Sequence, residues 1–306
     1  MKRRLLGVFI FCLMATGCTG GTKPESTNSP SGTRFPVTVN AANGEVEIRS
    51  RPKRIVSLSP TATEMLFAIG AGEQVVAVDE FSNFPTEAPK TDLSGFTPNV
   101  EAIVAHRPDL VVTENASLDA ALKAVEVTVM VQPTGRKIED SYRQIEQLGV
   151  ASGNASKAGA LVSRMKSDIR ELVQSVRSEK RLTYYHELDQ TYYSATSQTF
   201  IGQIYALLGL ENIADEADTE GGGFPQLSAE YIIKANPDFI FLADTKCCGQ
   251  SAETVAARPG WNQIKAVQQN QVVSLDDDTA SRWGPRVVDF LRTVTEAVRA
   301  PAMAGT

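Results

Sequence analysis

Short runs of apolar, mostly β-branched residues recur along the chain and alternate with short helical patterns. Within residues 54–58, 75–78, 109–112 and 127–131, most positions are apolar, and neighbouring positions are often apolar together rather than in alternation. Consecutive apolar positions are typical of strands buried on both faces, and strands that alternate with helices are typical of parallel β-α units. The pattern therefore predicts an α/β fold with a central parallel sheet, in which the folded part begins near Arg51.

A much longer helical pattern follows at residues 156–180. At about 1.5 Å per residue, such a helix would be roughly 37 Å long. It could cover one sheet as a surface helix, or it could be a rigid strut between two lobes, because β-α patterns resume after it. Its apolar residues form one stripe with helical spacing: Ala158, Leu161, Val162, Met165, Ile169, Leu172, Val173 and Val176.

The segment at residues 101–112 has a counterpart at residues 230–241. In both, a helix begins at an acidic residue, ends at a Pro-Asp pair and is followed by an apolar strand. Residues 64–70 and 203–209 form a second, looser pair. Two matching units predict two lobes of similar construction, although helix-Pro-Asp-strand patterns are common enough for the match to be a coincidence.

The N-terminal residues have the pattern of a secretory signal. A basic run at residues 2–4 precedes an apolar stretch too short to span a bilayer, and then small residues. Cys18 follows directly, as in the bacterial lipobox, where such a cysteine is lipidated and becomes the first mature residue. Residues 18–36 are rich in Gly, Ser, Thr, Pro and Asn, which is typical of a flexible linker. We therefore predict a signal peptide at residues 1–17 and a lipid-anchored protein on the extracytoplasmic face of the cell membrane.

Composition narrows the classes of function. The 306 residues carry a net charge of −6, which argues against a nucleic-acid binder with a basic face. Two histidines exclude a multi-histidine metal centre, and the sequence contains neither a phosphate-binding loop nor a nucleophile elbow. We expect no catalytic residues, no resident metal or cofactor and no nucleic-acid partner. A surface-anchored hydrolase that uses acidic clusters is the alternative from a different class.

Several motifs occur together, and in the same order, in one known family. They are residues 54–64, 99–101 with 107–112, the long middle helix, and 228–230 with 237–238. Through these motifs the body of the chain, residues 51–297, resembles the helical-backbone (class III) periplasmic binding proteins. That family comprises the substrate-binding lipoproteins of ABC importers for cobalamin, ferric siderophores and heme. The loops at residues 81–85, 223–228 and 281–286 are similar to those of its cobalamin-binding branch.

The resemblance implies two Rossmann-like α/β lobes with central parallel sheets, joined by one long α-helix, with a ligand cleft between the lobes. The implied boundaries are residues 37–153 for the N-terminal lobe, 154–180 for the connecting helix and 181–306 for the C-terminal lobe. The implied function is capture of a corrinoid such as cobalamin and its delivery to an ABC permease dimer by a monomeric binding protein. Heme and ferric siderophores are the alternative ligands.

Loop residues supply the candidate ligand contacts. A wide, partly flat and amphipathic ligand suits a cleft with aromatic walls and a few polar anchors. Core packing is the alternative for each aromatic residue. The candidate walls are Phe81, Phe84, Phe96, Phe224 and Trp283, and the candidate polar anchors are Ser59, Arg282 and Arg286. If the ligand were heme, the iron ligand would come from another group: Tyr184, Tyr185, His186, Tyr192 or Tyr193.

Two glutamates and two adjacent cysteines complete the candidates. Glu101 and Glu230 lie in the first turns of the repeated helices, where a carboxylate also stabilises the helix dipole. In the family, the corresponding glutamates project towards arginines of the permease dimer, so the resemblance implies a docking role. Cys247 and Cys248 depart from the family pattern. In an oxidising compartment we expect a vicinal disulfide, with free thiols that touch the ligand metal, or an inert reduced pair, as alternatives.

Overall fold

The computed structural model describes residues 33–176 and 181–299. The predicted signal peptide, Cys18 and most of the predicted linker lie outside these residues, so those assignments stay predictions. Within the two described ranges, no helix is both long enough and apolar enough to cross a membrane.

The described chain begins with an antiparallel hairpin of β1 (Val37–Ala41) and β2 (Gly44–Ile48). Its buried side chains alternate with exposed ones, as in a sheet with one covered face. Asn43, in the turn, donates a hydrogen bond to the carboxylate of Asp119 at 2.7 Å and so ties the hairpin to the first lobe. The expectation that the folded part begins near Arg51 is therefore wrong, because this hairpin buries too few apolar residues to stand out in the sequence.

The N-terminal lobe is built on a parallel sheet with the strand order β4-β3-β5-β6. All four strands predicted from the apolar runs are present to within one residue, and β3 and β5 are buried along their whole length. The strands are β3 (Ile55–Leu58), β4 (Val75–Val78), β5 (Leu110–Thr113) and β6 (Thr128–Val131). The helices are α1 (Pro60–Ala68), α2 (Val100–Ala105), α3 (Leu118–Lys123) and α4 (Ile138–Ser152).

One helix, α5 (Ala155–Ser175), connects the two lobes in the chain. It ends before the predicted residue 180 because Val176 has extended backbone angles, φ −93° and ψ 108°. The five most buried members of the predicted stripe are Ala158, Leu161, Val162, Met165 and Ile169.

The C-terminal lobe has a second parallel sheet, in the order β10-β9-β7-β8. Its strands are β7 (Thr183–Glu187), β8 (Glu211–Asn212), β9 (Phe239–Leu242) and β10 (Val272–Ser274). Its longer helices are α6 (Phe200–Ala206), α7 (Ala229–Ala235) and the C-terminal α12 (Val287–Arg299). Its short helices are α8 (Thr245–Cys248), α9 (Ala252–Ala256), α10 (Lys265–Gln268) and α11 (Asp277–Ser281).

The two sheets have the same topology, since the strands of each, counted along the chain, lie in the order second, first, third, fourth. The Pro-Asp aspartates also act alike. Asp109 accepts hydrogen bonds from the N–H groups of Lys53 and Arg54, just before β3. Asp238 accepts one from the N–H group of Thr183, the first residue of β7. The repeat in the sequence is thus a structural repeat, and coincidence is excluded.

A single apolar cluster runs from one lobe into the other. It contains Ile55 of β3, Ile145 of α4, Ile169 of α5, Phe241 of β9 and Leu291 of α12. Each lobe has a further cluster on the other face of its sheet. The helices α4, α5 and α12 therefore form a shared layer, and α5 is more than a surface helix over one sheet.

Candidate functional site

A cavity of about 630 Å³ lies where the two lobes meet. In parallel α/β sheets, ligands bind beyond the carboxyl ends of the strands, and this cavity has that position in the N-terminal lobe. The C-terminal lobe closes it through α11 and the loop that follows. The lining includes Leu58, Asp79, Glu114 and Pro133, which end or follow the four strands of the first sheet, and Asp278 and Trp283 from the C-terminal lobe.

Two of the predicted aromatic walls lie together at this cavity. Phe81 and Phe96 meet edge to face, with ring centroids 5.5 Å apart and an interplanar angle of 81°. Their side chains are 51% and 78% exposed, although both line the cavity. An exposed aromatic pair at a concave site is a typical contact surface for a ligand with apolar faces.

Trp283 also lines the cavity, but as part of its floor, because its side chain is almost fully buried. The indole Nε1 donates a hydrogen bond to Oε1 of Gln144 on α4 at 2.8 Å. The hydroxyl of Ser141, on the same helix, donates to the carbonyl oxygen of Trp283. A Cβ at Gly135 would lie 3.0 Å from Cδ1 of the indole. The ring is therefore held rigidly between the cavity and α4.

Arg282 was predicted as a polar anchor for the ligand, and it does line the cavity, but its guanidinium is already bonded within the protein. Its Nη1 donates to Oε1 of Glu64 at 2.8 Å and to Oδ1 of Asn83 at 2.9 Å. Its Nη2 donates to Oδ1 of Asp278 at 2.7 Å and to the carbonyl oxygen of Phe81 at 3.1 Å. Arg282 thus lines the cavity with its charge already paired, and it fixes the loop that carries Phe81.

Arg286 is paired in the same way and does not line the cavity. Its Nη2 donates to Oε1 of Glu64 at 2.6 Å, and its Nε donates to Oε2 at 3.1 Å. Its guanidinium also lies over the ring of Phe84, 4.2 Å from the centroid. Phe84 does not line the cavity, and its predicted contact with the ligand stays a prediction.

Glu64 is the residue that unites these arginines, and sequence reasoning missed it. It lies in α1 with a side chain only 1% exposed. The cap of α1 is Ser59, whose hydroxyl accepts from the N–H group of Ala62. A carboxylate among the apolar residues of a short buried helix was the available signal, because a buried charge requires a partner.

Ser59 and Phe224 were also predicted to contact the ligand. Ser59 is buried and does not line the cavity, but its hydroxyl donates to Oε1 of Glu114 at 2.6 Å. Phe224 is 51% exposed yet lies outside the cavity. Its loop is held to the second lobe by backbone hydrogen bonds, in which Ser194 and Thr196 donate to Pro225 and Gly223.

Two carboxyl groups of the cavity wall were not predicted. Asp79 follows β4 and accepts hydrogen bonds from the N–H group of Phe81 and the hydroxyl of Ser82, both at 2.8 Å. Glu114 follows β5. Burial raises the pKa of both groups, and the charge of Asp79 adds to the rise for Glu114. Their position directly after a buried strand was the signal in the sequence, because the carboxyl ends of parallel strands meet at one edge of the sheet.

Two further buried carboxyl groups lie at the carboxyl ends of the first and third strands of the C-terminal lobe. Glu187 is buried and forms a two-bond ion pair with Arg258, with both distances 2.6 Å. Asp244 is buried, and neither of its carboxyl oxygens has a hydrogen-bond partner. Burial and the nearby charge of Glu187 raise the pKa of Asp244 to about 7.

The residues proposed as heme-iron ligands are mostly inaccessible. Tyr184, Tyr185 and His186 are fully buried in β7. Nδ1 of His186 is hydrogen-bonded to the hydroxyl of Tyr205 at 2.8 Å, and burial lowers the pKa of His186 to about 3. These three residues cannot reach an iron in the cleft. Among the five candidates for an iron ligand, Tyr193 is the exposed one. Across the two described ranges, no cluster of three or more His, Cys, Asp or Glu side chains could hold a metal ion.

Glu101 and Glu230 occupy equivalent and exposed positions in the two lobes. Each is the second residue of its helix, after a side-chain cap supplied by Asn99 in α2 and by Ser228 in α7. Both carboxylates are therefore accessible to a partner at corresponding places of the two lobes. The docking role itself stays a prediction.

Cys247 and Cys248 are free, exposed thiols in the short helix α8. This contradicts the expected vicinal disulfide. Adjacent residues of an α-helix point about 100° apart, and Asp277 fixes the helix by accepting from the N–H groups of Lys246 and Cys247, both at 2.9 Å. The two thiols are therefore separate groups with no bond between their sulfur atoms, although they are close enough for a side-chain hydrogen bond.

Comparisons with known proteins agree with this architecture. The sequence model of the periplasmic binding protein family matches residues 55–279. The uncharacterized ABC transporter substrate-binding lipoprotein YvrC of Bacillus subtilis (strain 168) is 30% identical, over 97% of this chain and 98% of its own. The cobalamin-binding protein of Halobacterium salinarum (strain ATCC 29341 / DSM 671 / R1) is 28% identical, over 86% of this chain and 74% of its own.

A solved structure has the same fold. It is the crystal structure of a possible iron-binding, periplasmic solute-binding protein from Staphylococcus epidermidis ATCC 12228, which is 25% identical with a TM-score of 0.70. The match covers 82% of this chain and all of that one. These matches confirm the resemblance that the motifs indicated. The chain therefore belongs to the periplasmic binding protein family.

Proposed function

We propose that this protein captures a corrinoid in the cavity between its lobes and delivers it to an ABC permease. In this proposal the protein is a monomer anchored through Cys18 on the extracytoplasmic face of the cell membrane, and it has no catalytic residues. Family membership supports the role of a substrate-binding protein of an importer. The observation that carries the choice of ligand is the charge of the cavity.

The cavity wall offers acceptors and no unpaired cation among the described lining residues. Its charged side chains are Asp79, Glu114, Asp278 and Arg282, and the arginine is bonded to Glu64 and Asp278. Cobalamin carries primary amides around its ring, and amide N–H groups donate to carboxylates. Heme carries two propionates, whose negative charges this wall would repel. The exposed rings of Phe81 and Phe96 suit the apolar faces of either macrocycle, so the charge of the wall is the feature that favours the corrinoid.

Titration with three ligands, followed by calorimetry and by absorption spectroscopy, tests the proposal: cyanocobalamin, hemin and a ferric hydroxamate siderophore. We expect saturable heat with cyanocobalamin at micromolar concentration or below, and no shift of the Soret absorption band with hemin. A Soret shift with hemin and no heat with cyanocobalamin would refute the corrinoid and select heme. Heat with the siderophore alone would select that third ligand class.

A matched pair of variants locates the site. Phe81 and Phe224 are both 51% exposed, but only Phe81 lines the cavity. We expect Phe81→Ala to weaken cyanocobalamin binding by about tenfold or more, as is usual for a central aromatic contact. Phe224→Ala is expected to leave the affinity unchanged. Equal losses in the two variants would move the ligand out of this cavity.

Docking to the permease is a separate step with its own test. Carboxylates at Glu101 and Glu230 would form charge-assisted pairs with arginines of a two-fold partner. The double variant Glu101→Arg/Glu230→Arg is expected to bind ligand normally and to lose uptake in cells. The control reverses two exposed helix glutamates elsewhere, Glu171 and Glu296. Normal uptake by the first double variant would contradict the docking role.

A further inference from the structure

We propose that Glu114 and Asp79 form a specificity subsite that accepts hydrogen bonds from N–H groups at the periphery of the ligand and rejects ligands with a carboxylate at that point. The inference rests on the proposed function and names the part of the cavity that distinguishes an amide from an acid.

The geometry places both carboxyl groups in the cavity wall and holds them still. Asp79 is bound on one oxygen by the N–H group of Phe81 and on the other by the hydroxyl of Ser82. Oε1 of Glu114 receives the hydroxyl of Ser59 at 2.6 Å. Ser59 is itself fixed as the cap of α1, so the orientation of Glu114 is set before any ligand arrives. Preorganised acceptors lose little entropy when a donor binds.

Among the described residues, neither Asp79 nor Glu114 forms an ion pair. The other acidic side chain of the wall, Asp278, is paired with Arg282 at 2.7 Å. Asp79 and Glu114, in contrast, accept hydrogen bonds only from neutral donors among the described residues. Burial raises the pKa of each, and their hydrogen bonds, together with the charge of Arg282 in the case of Asp79, offset this rise only in part. A bound donor adds to this offset, whereas a second carboxylate increases the repulsion.

Sensitivity to pH follows from the same groups. The titratable and charged residues that face Glu114 across the cavity are Asp79 from β4, and Asp278 and Arg282 from α11 and its following loop. As pH falls towards the raised pKa of Glu114, its carboxyl group gains a proton and becomes a donor. Rejection of a carboxylate ligand is therefore strongest at high pH and weakens as pH falls.

The experiment compares cyanocobalamin with the separated monocarboxylate isomers made from it by hydrolysing one peripheral amide. The full-length protein, Glu114→Gln and the control Glu296→Gln, an exposed residue of α12, are each titrated with every isomer. For at least one isomer, we expect the protein to bind the amide form about tenfold or more tightly than the acid. Glu114→Gln is expected to reduce that ratio severalfold, and Glu296→Gln to leave it unchanged.

A second measurement needs no variant and covers the case that Glu114→Gln fails to fold. The ratio for the discriminated isomer is measured on the unchanged protein between pH 8 and pH 5.5, and it is expected to fall with pH. Three outcomes would each overturn the subsite. The first is equal binding of cyanocobalamin and all isomers, and the second is an undiminished ratio of amide to acid affinity in folded Glu114→Gln. The third is a ratio that does not depend on pH. Failure of cyanocobalamin itself to bind would instead overturn the proposed function, and the subsite with it.

Discussion

Replacing Glu64 by glutamine tests how strongly the two lobes are held together beside the cavity. The carboxylate of Glu64, on α1 of the N-terminal lobe, is 1% exposed and pairs with Arg282 and Arg286 of the C-terminal lobe. Glutamine has nearly the same shape but removes the negative charge. Two guanidinium groups would then share a buried neutral acceptor.

The expected loss follows from the burial and from the partners that remain. Removing one member of a buried ion pair costs about 3–5 kcal/mol, mainly because the other charge stays buried without compensation. Arg282 keeps Asp278 at 2.7 Å, and the glutamine oxygen still accepts a hydrogen bond. We therefore expect the lower end, a decrease of about 3 kcal/mol in the free energy of unfolding.

Urea denaturation, followed by both circular dichroism and tryptophan fluorescence, measures this decrease. Coincident transitions would show that the lobes unfold together, as their shared core predicts. The matched control is Glu211→Gln, which breaks an exposed pair with Arg181 and should cost at most about 1 kcal/mol. A loss in Glu64→Gln no larger than in the control would refute the idea that these arginines join the lobes.

Three further changes test other parts of the structure. Gly149→Ala is expected to destabilise the protein by roughly 1–3 kcal/mol, because the new Cβ would lie 2.3 Å from Cβ of Ala158. The control Gly159→Ala places its Cβ in open space and should stabilise the protein by up to about 1 kcal/mol. Urea midpoints that shift in the same direction in both variants would contradict this packing. The pKa of Asp244 is raised to about 7 by burial, so the native state holds a proton that the unfolded state releases at lower pH, and the free energy of unfolding should fall as pH rises from about 4 to 7, by up to about 1.4 kcal/mol per pH unit. Asp244→Asn should remove this fall, and parallel pH profiles of the two proteins would contradict it. Ellman's reagent should label two more thiols in the folded protein than in the Cys247→Ser/Cys248→Ser variant. The reaction of Cys247 should be slow at pH 8, because hydrogen bonding to Cys248 and burial raise its pKa to about 12. An equal thiol count in the two proteins would mean that the pair is oxidised.

The strands and the repeat of the two lobes could be predicted because they depend on neighbours in the sequence. Four or five consecutive apolar residues require burial on both faces wherever the strand lies. A capping residue acts on N–H groups two or three positions later, as Asn99 and Ser228 do. The hairpin at residues 37–48 was missed because its alternating pattern buries few side chains. Those few side chains become buried only by packing against the first lobe.

The candidate site was predictable only in part. The loops that carry Phe81, Phe96 and Trp283 were recognised from local composition and from their likeness to a family. Whether each ring faces the ligand was decided elsewhere, since Phe84 lies three residues from Phe81 and yet packs under Arg286. The sequence position of a loop residue does not determine which way its side chain points.

The amino-acid order alone determined the parallel α/β units, their duplication and the helix between them, because short-range periodicity and capping encode all three. Only the tertiary structure decided which charges meet. Glu64 and Arg282 stand 218 positions apart in the chain, and no local pattern links them. A buried charge is costly without a partner, and the packing of the two lobes chooses the partners of Glu64. That choice made Arg282 and Arg286, two of the three predicted polar anchors, into ties between the lobes, and it placed Asp79 and Glu114 in the cavity wall.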